Sequence, residues 1–439
     1  MRDAWWYSLP GHLIRRNTNP VTSVRDEPGQ RSETVRRTNL SSIVRELHAT
    51  GPMSRSSLVA STGLTRSAIR GLIGELAAGG LASEANVARL GTPGRPSPLV
   101  CLEADGAVVL ALDIEVDSLA AAHVGLGGEV LEHVRIDRKR GHSSLVAIVD
   151  DLAELASTIR SRRSSTRPEI GIGVAVVGVV RRADGLVSMA PNLGWTDQPL
   201  GDRLARVLGD DVPIHVANEA DLGALAEFRR GVAVGADHVL FLSGEVGVGG
   251  GLIVDGRPFE GVAGYGGEVG HLPVNPRGQV CNCGGVGCWE TEVGAMSLLR
   301  RAGLTARGGR AGMDAFLRDA AAGSPRALAA LEETGRWLGI GLSGLVNVLN
   351  PRLVVFGGLF QRIHPYVAAI VDAELDRRAL PAPRRLVRVV AGSLGAEAPL
   401  VGAAELALEP VLADPALWLR RSDLDLSRNA KIAVRRVVA

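Results

Sequence analysis

The stretch GHLPVNPRGQVCNCGGVGCWE, Gly270 to Glu290, restricts this chain more than any other. It holds three of the four cysteines and one of the nine histidines. Cys281, Cys283 and Cys288 crowd together with glycines between them. Such a cluster is a redox site, a disulfide clip, a catalytic metal centre or a structural knot. Cys281 and Cys283 are too close in sequence for an easy disulfide. An iron–sulfur cluster normally takes four thiolates. Four cysteines, three of them within eight positions, do not make a disulfide framework.

The chain has 439 residues, enough for two or three domains. No run of about 18 uncharged apolar residues occurs, so no membrane span is expected. The N-terminal MRDAWWYSLPGHLIRR is too short and polar in its apolar part for a secretory signal, and a cytoplasmic location is expected. Net charge is only +2, but it is uneven. From Arg31 to Arg95 there are nine Arg and four Glu with no Lys or Asp, a local +5. A basic excess at one end is the footprint of a nucleic-acid module, or of an ordinary solvated helical surface.

Residues 1–35 show no apolar period and are expected to form a disordered N-terminal arm. Residues 36–92 then read as a winged helix-turn-helix. Leu40, Ile43, Val44 and Leu47 recur at helical spacing, and Gly51-Pro52 stops that helix. Ser54 can cap a second helix carrying Leu58 and Val59. Gly63 allows a tight turn, and Thr65 can cap a third helix holding Ile69, Leu72, Ile73 and Leu76. In this reading the third helix enters the major groove of double-stranded operator DNA, with Arg66, Ser67 and Arg70 facing bases and phosphates. Arg95, in a stiff GTPGRPSP stretch, would reach phosphates or a minor groove. The competing reading is a helical bundle that binds a protein partner.

Residues 93–104 read as a proline-marked linker. From 105 to 410 the texture is α/β. AVVLALDIEV, IGIGVAVVGVV and RLVVFGG are strands, and SLVAIVDDLAELASTIR is an amphipathic helix. Strands precede helices twice over, which predicts two α/β halves with a cleft between them. The tail 411–439 has no assigned element.

A winged helix ahead of GVAVVGVV, APNLGW, NEADLGALAE, GVGGGLIVDGRPFEGVAGYGGEVGHL, CNCGGVGCWE and LNPRLVVFGG resembles the ROK family of repressors, open reading frames and sugar kinases. The match runs from about residue 36 to 405, and its most specific piece is GEVGH followed by CxCxxxxC. The resemblance implies an actin-like (ribonuclease-H-like) two-lobed sugar-kinase fold. It implies a structural zinc held by His271, Cys281, Cys283 and Cys288. It places sugar contacts on Asn192, Asn218, Glu219, Glu268, His271 and Glu290. The ligand chemistry agrees: three thiolates and one imidazole make a closed tetrahedral set with no position left for a catalytic water. One nitrogen of His271 can bind the metal while the other faces a sugar hydroxyl. Carboxylates and amides are the groups expected to bind vicinal hydroxyls; the plain alternative for Glu268 and Glu290 is a surface carboxylate. Cys101 reads as a small buried apolar residue.

The kinase branch of the family carries Asp-x-Gly-Gly-Thr, replaced here by Asp113-Ile114-Glu115-Val116-Asp117. Two of these side chains add carboxylates where a polyphosphate would lie. One like-charge contact at about 4 Å costs on the order of 4 kcal/mol at an effective dielectric of 20. Val246 stands where kinases usually have Thr, and Glu219 occupies the position of the base Asp. The expectation is a non-enzymatic, sugar-responsive DNA-binding regulator, a repressor, that works as a homodimer or tetramer. The alternative is a bifunctional ATP-dependent sugar kinase, glucokinase-like, that also binds DNA.

Overall fold

The computed structural model describes residues 28–85, 98–138, 144–163, 169–209, 212–305 and 309–419. Among these residues no helix is long and apolar enough to cross a membrane.

The N-terminal module is built from α1 (Pro28–Thr50), β1 (Met53–Ser54), α2 (Arg55–Thr62), α3 (Arg66–Ala78), β2 (Ala82–Ala85) and β3 (Leu99–Leu102). Ser54 accepts the Ser57 amide at 3.1 Å, and Thr65 accepts the Ala68 amide at 3.2 Å, so both expected N-caps form. Gly63 closes the intervening turn at φ 71°. Strand β3 pairs antiparallel with both β1 and β2, giving the wing. Two expectations shift. Helix α1 starts at Pro28, inside the stretch read as an arm. Arg36 bonds Glu33 at 2.9 Å and also pairs with Glu75 of α3. Residues 99–102, at the end of the expected linker, are a wing strand.

The first lobe contains β4 (Val108–Ile114), β5 (Ser118–Gly125), β6 (Val130–Asp137), α4 (Leu145–Arg162), β7 (Glu169–Val176), β8 (Val179–Arg181), β9 (Leu186–Ala190), β10 (Trp195–Pro199), α5 (Leu200–Leu208), β11 (Ile214–Asn218) and α6 (Glu219–Arg230). Its main sheet has the order β11-β7-β4-β5-β6; β8–β10 form a separate small antiparallel sheet. The second lobe contains β12 (Val239–Gly244), β13 (Val248–Val254), β14 (Arg257–Pro258), α7 (Trp289–Val293), α8 (Ala295–Arg301), α9 (Gly309–Ala321), α10 (Pro325–Leu349), β15 (Leu353–Gly357), α11 (Gly358–Arg378), α12 (Pro381–Leu386) and β16 (Arg388–Ala391); the last helix, α13 (Ala398–Ala413), returns to the first lobe. Its sheet order is β14-β13-β12-β15-β16. Each main sheet is thus an antiparallel meander whose first strand continues into two parallel neighbours. The same plan twice gives the actin-like, two-lobed architecture.

The chain returns on itself at the end. Helix α13 lies on β4 and β7 of the first lobe and also against α1. One continuous apolar core joins Leu40, Ile43 and Leu47 of α1, Leu76 of α3, Ala120 of β5, and Leu400, Leu408 and Leu412 of α13. Full burial of a leucine or isoleucine contributes about 1.5–3 kcal/mol. Beyond α13, residues 415–419 are helical and Trp418 donates to the Gly106 carbonyl at 3.3 Å, so the tail's first part is packed.

Candidate functional site

The cleft between the lobes is lined at one end by Asn192, Asn218, Glu219, Glu268, His271 and Glu290, all six residues expected to contact a sugar. They come from different places. Asn218 ends β11 and caps α6: its Oδ1 accepts the Ala220 amide at 2.7 Å, and its Nδ2 donates to the Gly178 carbonyl at 2.8 Å. Glu219 is the first residue of α6. Glu268 and His271 flank a short 3-10 turn, and Glu290 lies in the first turn of α7. Apolar contacts come from Val116, Val177, Val246 and Val248.

The glycines of β13 have a structural task here. A Cβ on Gly249 would meet the Ala220 Cβ at 2.7 Å, and one on Gly251 would meet the Ala220 carbonyl at 2.2 Å. They let β13 seat directly under the first turn of α6, which fixes Asn218 and Glu219 against the second lobe.

Four carboxylates line the cleft: Glu219, Glu245, Glu268 and Glu290. No Lys or Arg does so among the described residues. Burial pushes Glu268 above the ordinary carboxylate range, with the charge of Glu290 adding and His271 opposing. Burial, then the charges of Glu115, Asp113, Glu245 and Glu268, push Glu219 well up. Glu245 is wetted by the cleft but enclosed by protein around it. Confinement and Glu115 lift it to about 7, with Arg310 opposing. Protonated carboxyls can donate as well as accept, which widens the hydroxyl arrangements the site can satisfy. Glu245 was not anticipated; its signal was an acid immediately before a glycine-rich turn.

Behind this wall, His271, Cys281, Cys283 and Cys288 converge, with their donor atoms within 4.8 Å of one another. The Cys283 and Cys288 sulfurs are 3.7 Å apart, and His271 Nδ1 lies 3.7 Å from the Cys281 sulfur. A tetrahedral ion with metal–sulfur bonds of about 2.3 Å would separate two sulfurs by about 3.8 Å. The set therefore fits a four-coordinate metal. Nδ1 is the nitrogen on the sulfur side, and Nε2 faces Glu268 at 4.0 Å. Glu290 links wall and cluster: its Oε1 lies 2.8 Å from the Cys281 sulfur.

The turn between β4 and β5 borders the same cleft through Val116, and the bare like-charge barrier expected there does not form. Its carboxylates are not bare. Arg135 of β6 lies 3.4 Å from Asp113 and 3.3 Å from Glu115. Arg310 of α9 reaches across from the second lobe to Glu115, and lies 3.3 Å from Asp117. Each carboxylate has an arginine beside it, and Arg135 and Arg310 crowd the turn. Asp113 is fully buried, and burial, with Glu115 adding and Arg135 opposing, drives its carboxyl well up.

In the N-terminal module, Arg66, Ser67 and Arg70 are exposed on one end of α3, and no ion pair joins either arginine to another described residue. Arg95 lies outside the described residues.

The ROK family model matches residues 109–410. The chain is 26% identical over 380 residues to the xylose repressor of Bacillus spizizenii, covering 86% of this chain and 97% of that protein. Its structure is similar to that of a ROK family transcriptional regulator, a homolog of the E. coli MLC protein: TM-score 0.68, 25% identity, covering 88% of this chain and 98% of that one. A ROK glucokinase from Streptomyces griseus, solved with glucose and AMPPNP, is similar at TM-score 0.61 and 26% identity, but covers only 69% of this chain while all of its own length is matched. The regulator matches therefore extend past the part that the kinase covers.

Proposed function

The chain belongs to the ROK family, and from that premise we propose that it is a sugar-responsive, DNA-binding transcriptional repressor. The single observation that carries this reading is one continuous core. It joins a winged helix-turn-helix, with exposed arginines on α3, to the lobe that brings Asn218 and Glu219 to a cleft whose polar lining suits a polyol. Operator DNA would be contacted by Arg66, Ser67 and Arg70, and a sugar by Asn192, Asn218, Glu219, Glu268, His271 and Glu290. The change in DNA affinity is then limited by the sugar's differential affinity for two arrangements of the module.

The lining also selects the effector's charge. Four acidic groups and, among the described residues, no cation line the cleft, so a phosphate or carboxylate on the effector would find no partner, which favours an uncharged sugar. The metal that suits three thiolates and an imidazole is zinc, in a structural role. It would brace the Glu268–His271 turn and Glu290, and supply no chemistry of its own. Phosphoryl transfer is not part of the reading: the family's Gly-Gly-Thr turn is absent, and Arg310 and Arg135 fill around its replacement.

The test is a gel shift with DNA from upstream of the chain's own gene, with and without glucose, xylose, N-acetylglucosamine and N-acetylmannosamine. A shift that one of these sugars alters supports the reading. No retardation at low salt, for pure protein, removes it. Phosphorylated sugar at an ordinary kinase rate favours the bifunctional kinase instead.

A further inference from the structure

Helix α6 begins in the cleft and ends at the DNA-binding module. Its twelve residues span about 18 Å at 1.5 Å per residue. At its first turn are Asn218 and Glu219. At its last are Arg229 and Arg230, and both are tied to α13 and, through it, to α1. Two carboxylates on one face of α13, Glu405 and Glu409, are each shared between α6 and α1. Glu405 Oε1 accepts from Arg230 Nε at 2.6 Å, and its Oε2 lies 3.0 Å from His48 Nε2. Glu409 Oε2 accepts from Arg229 at 3.2 Å and from Arg45 at 3.2 Å.

The inner of these two junctions is closed to solvent. His48 and Glu405 are 2% and 3% exposed. Arg230 also donates to the His48 carbonyl, at the C-terminal end of α1. The Gly127 amide donates to His48 Nδ1 at 2.9 Å, so that nitrogen is an acceptor, while Nε2 meets both Glu405 and the Arg230 guanidinium. The imidazole is thereby held from both sides. The helices also touch backbone to backbone: a Cβ on Gly402 would lie 1.9 Å from the Leu222 carbonyl. Contact that close leaves little room for α6 to slide without moving α13. A part-buried pair further along, Arg37 with Asp414 at 3.1 Å, continues the seam towards the start of the module.

We propose that α6 is the coupling rod of this protein: an effector acts on Asn218 and Glu219 at one end, and Arg230, through Glu405 and His48, sets the orientation of the helix-turn-helix at the other. This rests on the sugar-responsive reading above. Arg230, Glu405 and His48 are positioning residues; none touches the cleft. An arginine suits the junction because its guanidinium serves a carboxylate and a carbonyl together, which a lysine ammonium does less rigidly.

The experiment uses the full chain, the upstream DNA fragment and the four sugars named above. Sugar binding is read by calorimetry, DNA affinity by anisotropy, and hydrogen exchange is followed at 218–224 and at 36–50. For wild type, a binding sugar slows exchange at 218–224, changes it at 36–50 and alters DNA affinity, by a factor of roughly 5–150 in typical allosteric proteins. Arg230→Met keeps sugar affinity within about two-fold while the factor collapses toward one; Arg230→Lys recovers part of it. If Arg230→Met does not fold, Arg229→Ala with Arg45→Ala removes the exposed junction alone and is expected to lower the factor measurably. A folded Arg230→Met with the wild-type factor overturns the rod, as does an unchanged factor in the double variant. A wild-type protein whose cleft is protected by sugar while 36–50 and DNA affinity stay unchanged also overturns it, yet leaves sugar binding standing. If no sugar protects 218–224, the effector reading fails and the rod fails with it.

Discussion

Arg310, in the first turn of α9, bridges the lobes: its Nε lies 3.3 Å from Asp117, and it also pairs with Glu115 in the turn between β4 and β5. The arginine is about two-fifths exposed and Glu115 is mostly buried. Pairs of this kind contribute about 0–1 kcal/mol and are screened by salt. Arg310→Ala should therefore cost up to about 1 kcal/mol in denaturant unfolding at low salt, and less at high salt. It should not create phosphoryl transfer, because the glycines that would admit a phosphate are still missing. Turnover at about 1 s⁻¹ or faster with ATP and any of the four sugars, in either protein, would contradict this.

Glu405 predicts a pH dependence. Burial alone would raise its carboxyl, but the hydrogen bond with His48 and the charge of Arg230 hold it at about 2, below the ordinary 4.5. A depressed carboxylate stabilises the fold above its unfolded pKa, and that stability is lost as pH falls through the folded value. Stability should drop from about pH 4.5 towards pH 2, by about 3 kcal/mol at most from this group. Glu405→Gln should flatten that part of the curve, measured by thermal unfolding across pH. An unchanged acid limb would show that the group does not carry it.

Uncharged and phosphorylated forms of one sugar should separate sharply. A phosphate in this cleft would have acids and, among the described residues, no cation beside it. Glucose against glucose 6-phosphate in a thermal-shift screen is the direct comparison. A larger shift with the phosphate would sink the charge argument.

The cysteine cluster predicts about one zinc per chain by elemental analysis. Cys283→Ser should lose the metal and lower the melting temperature by several degrees. It should also weaken sugar binding, because Glu268, His271 and Glu290 lean on the same knot.

On DNA, Arg66→Ala and Arg70→Ala should each weaken binding. Where the lost contact is a phosphate, the slope of log affinity against log salt should fall by about one. Thr65→Ala removes the N-cap of α3 and should cost about 1 kcal/mol of stability. Undiminished DNA affinity in the double arginine variant would move the interface elsewhere.

Much of this was legible in the residues. Caps at Ser54 and Thr65, the turn at Gly63, the apolar period of α1 and the strand-then-helix alternation are local properties, set by neighbours within a few positions. The His271–Cys288 cluster was legible for the same reason, since ligands that share one ion sit close in sequence. The β8–β10 sheet was not, because its strands are short and broken by Gly, Pro and Asp. Nor were Arg310 against Glu115, or Arg230 and His48 on Glu405: these pairs join residues 195, 175 and 357 positions apart. An isolated arginine looks the same in sequence whether it meets solvent, DNA or a buried carboxylate. Sequence alone determined which elements form and which chemistry they carry. The tertiary structure decided that the first helix and the last share one core, because only the packed chain determines which distant charges are brought together and shielded from water.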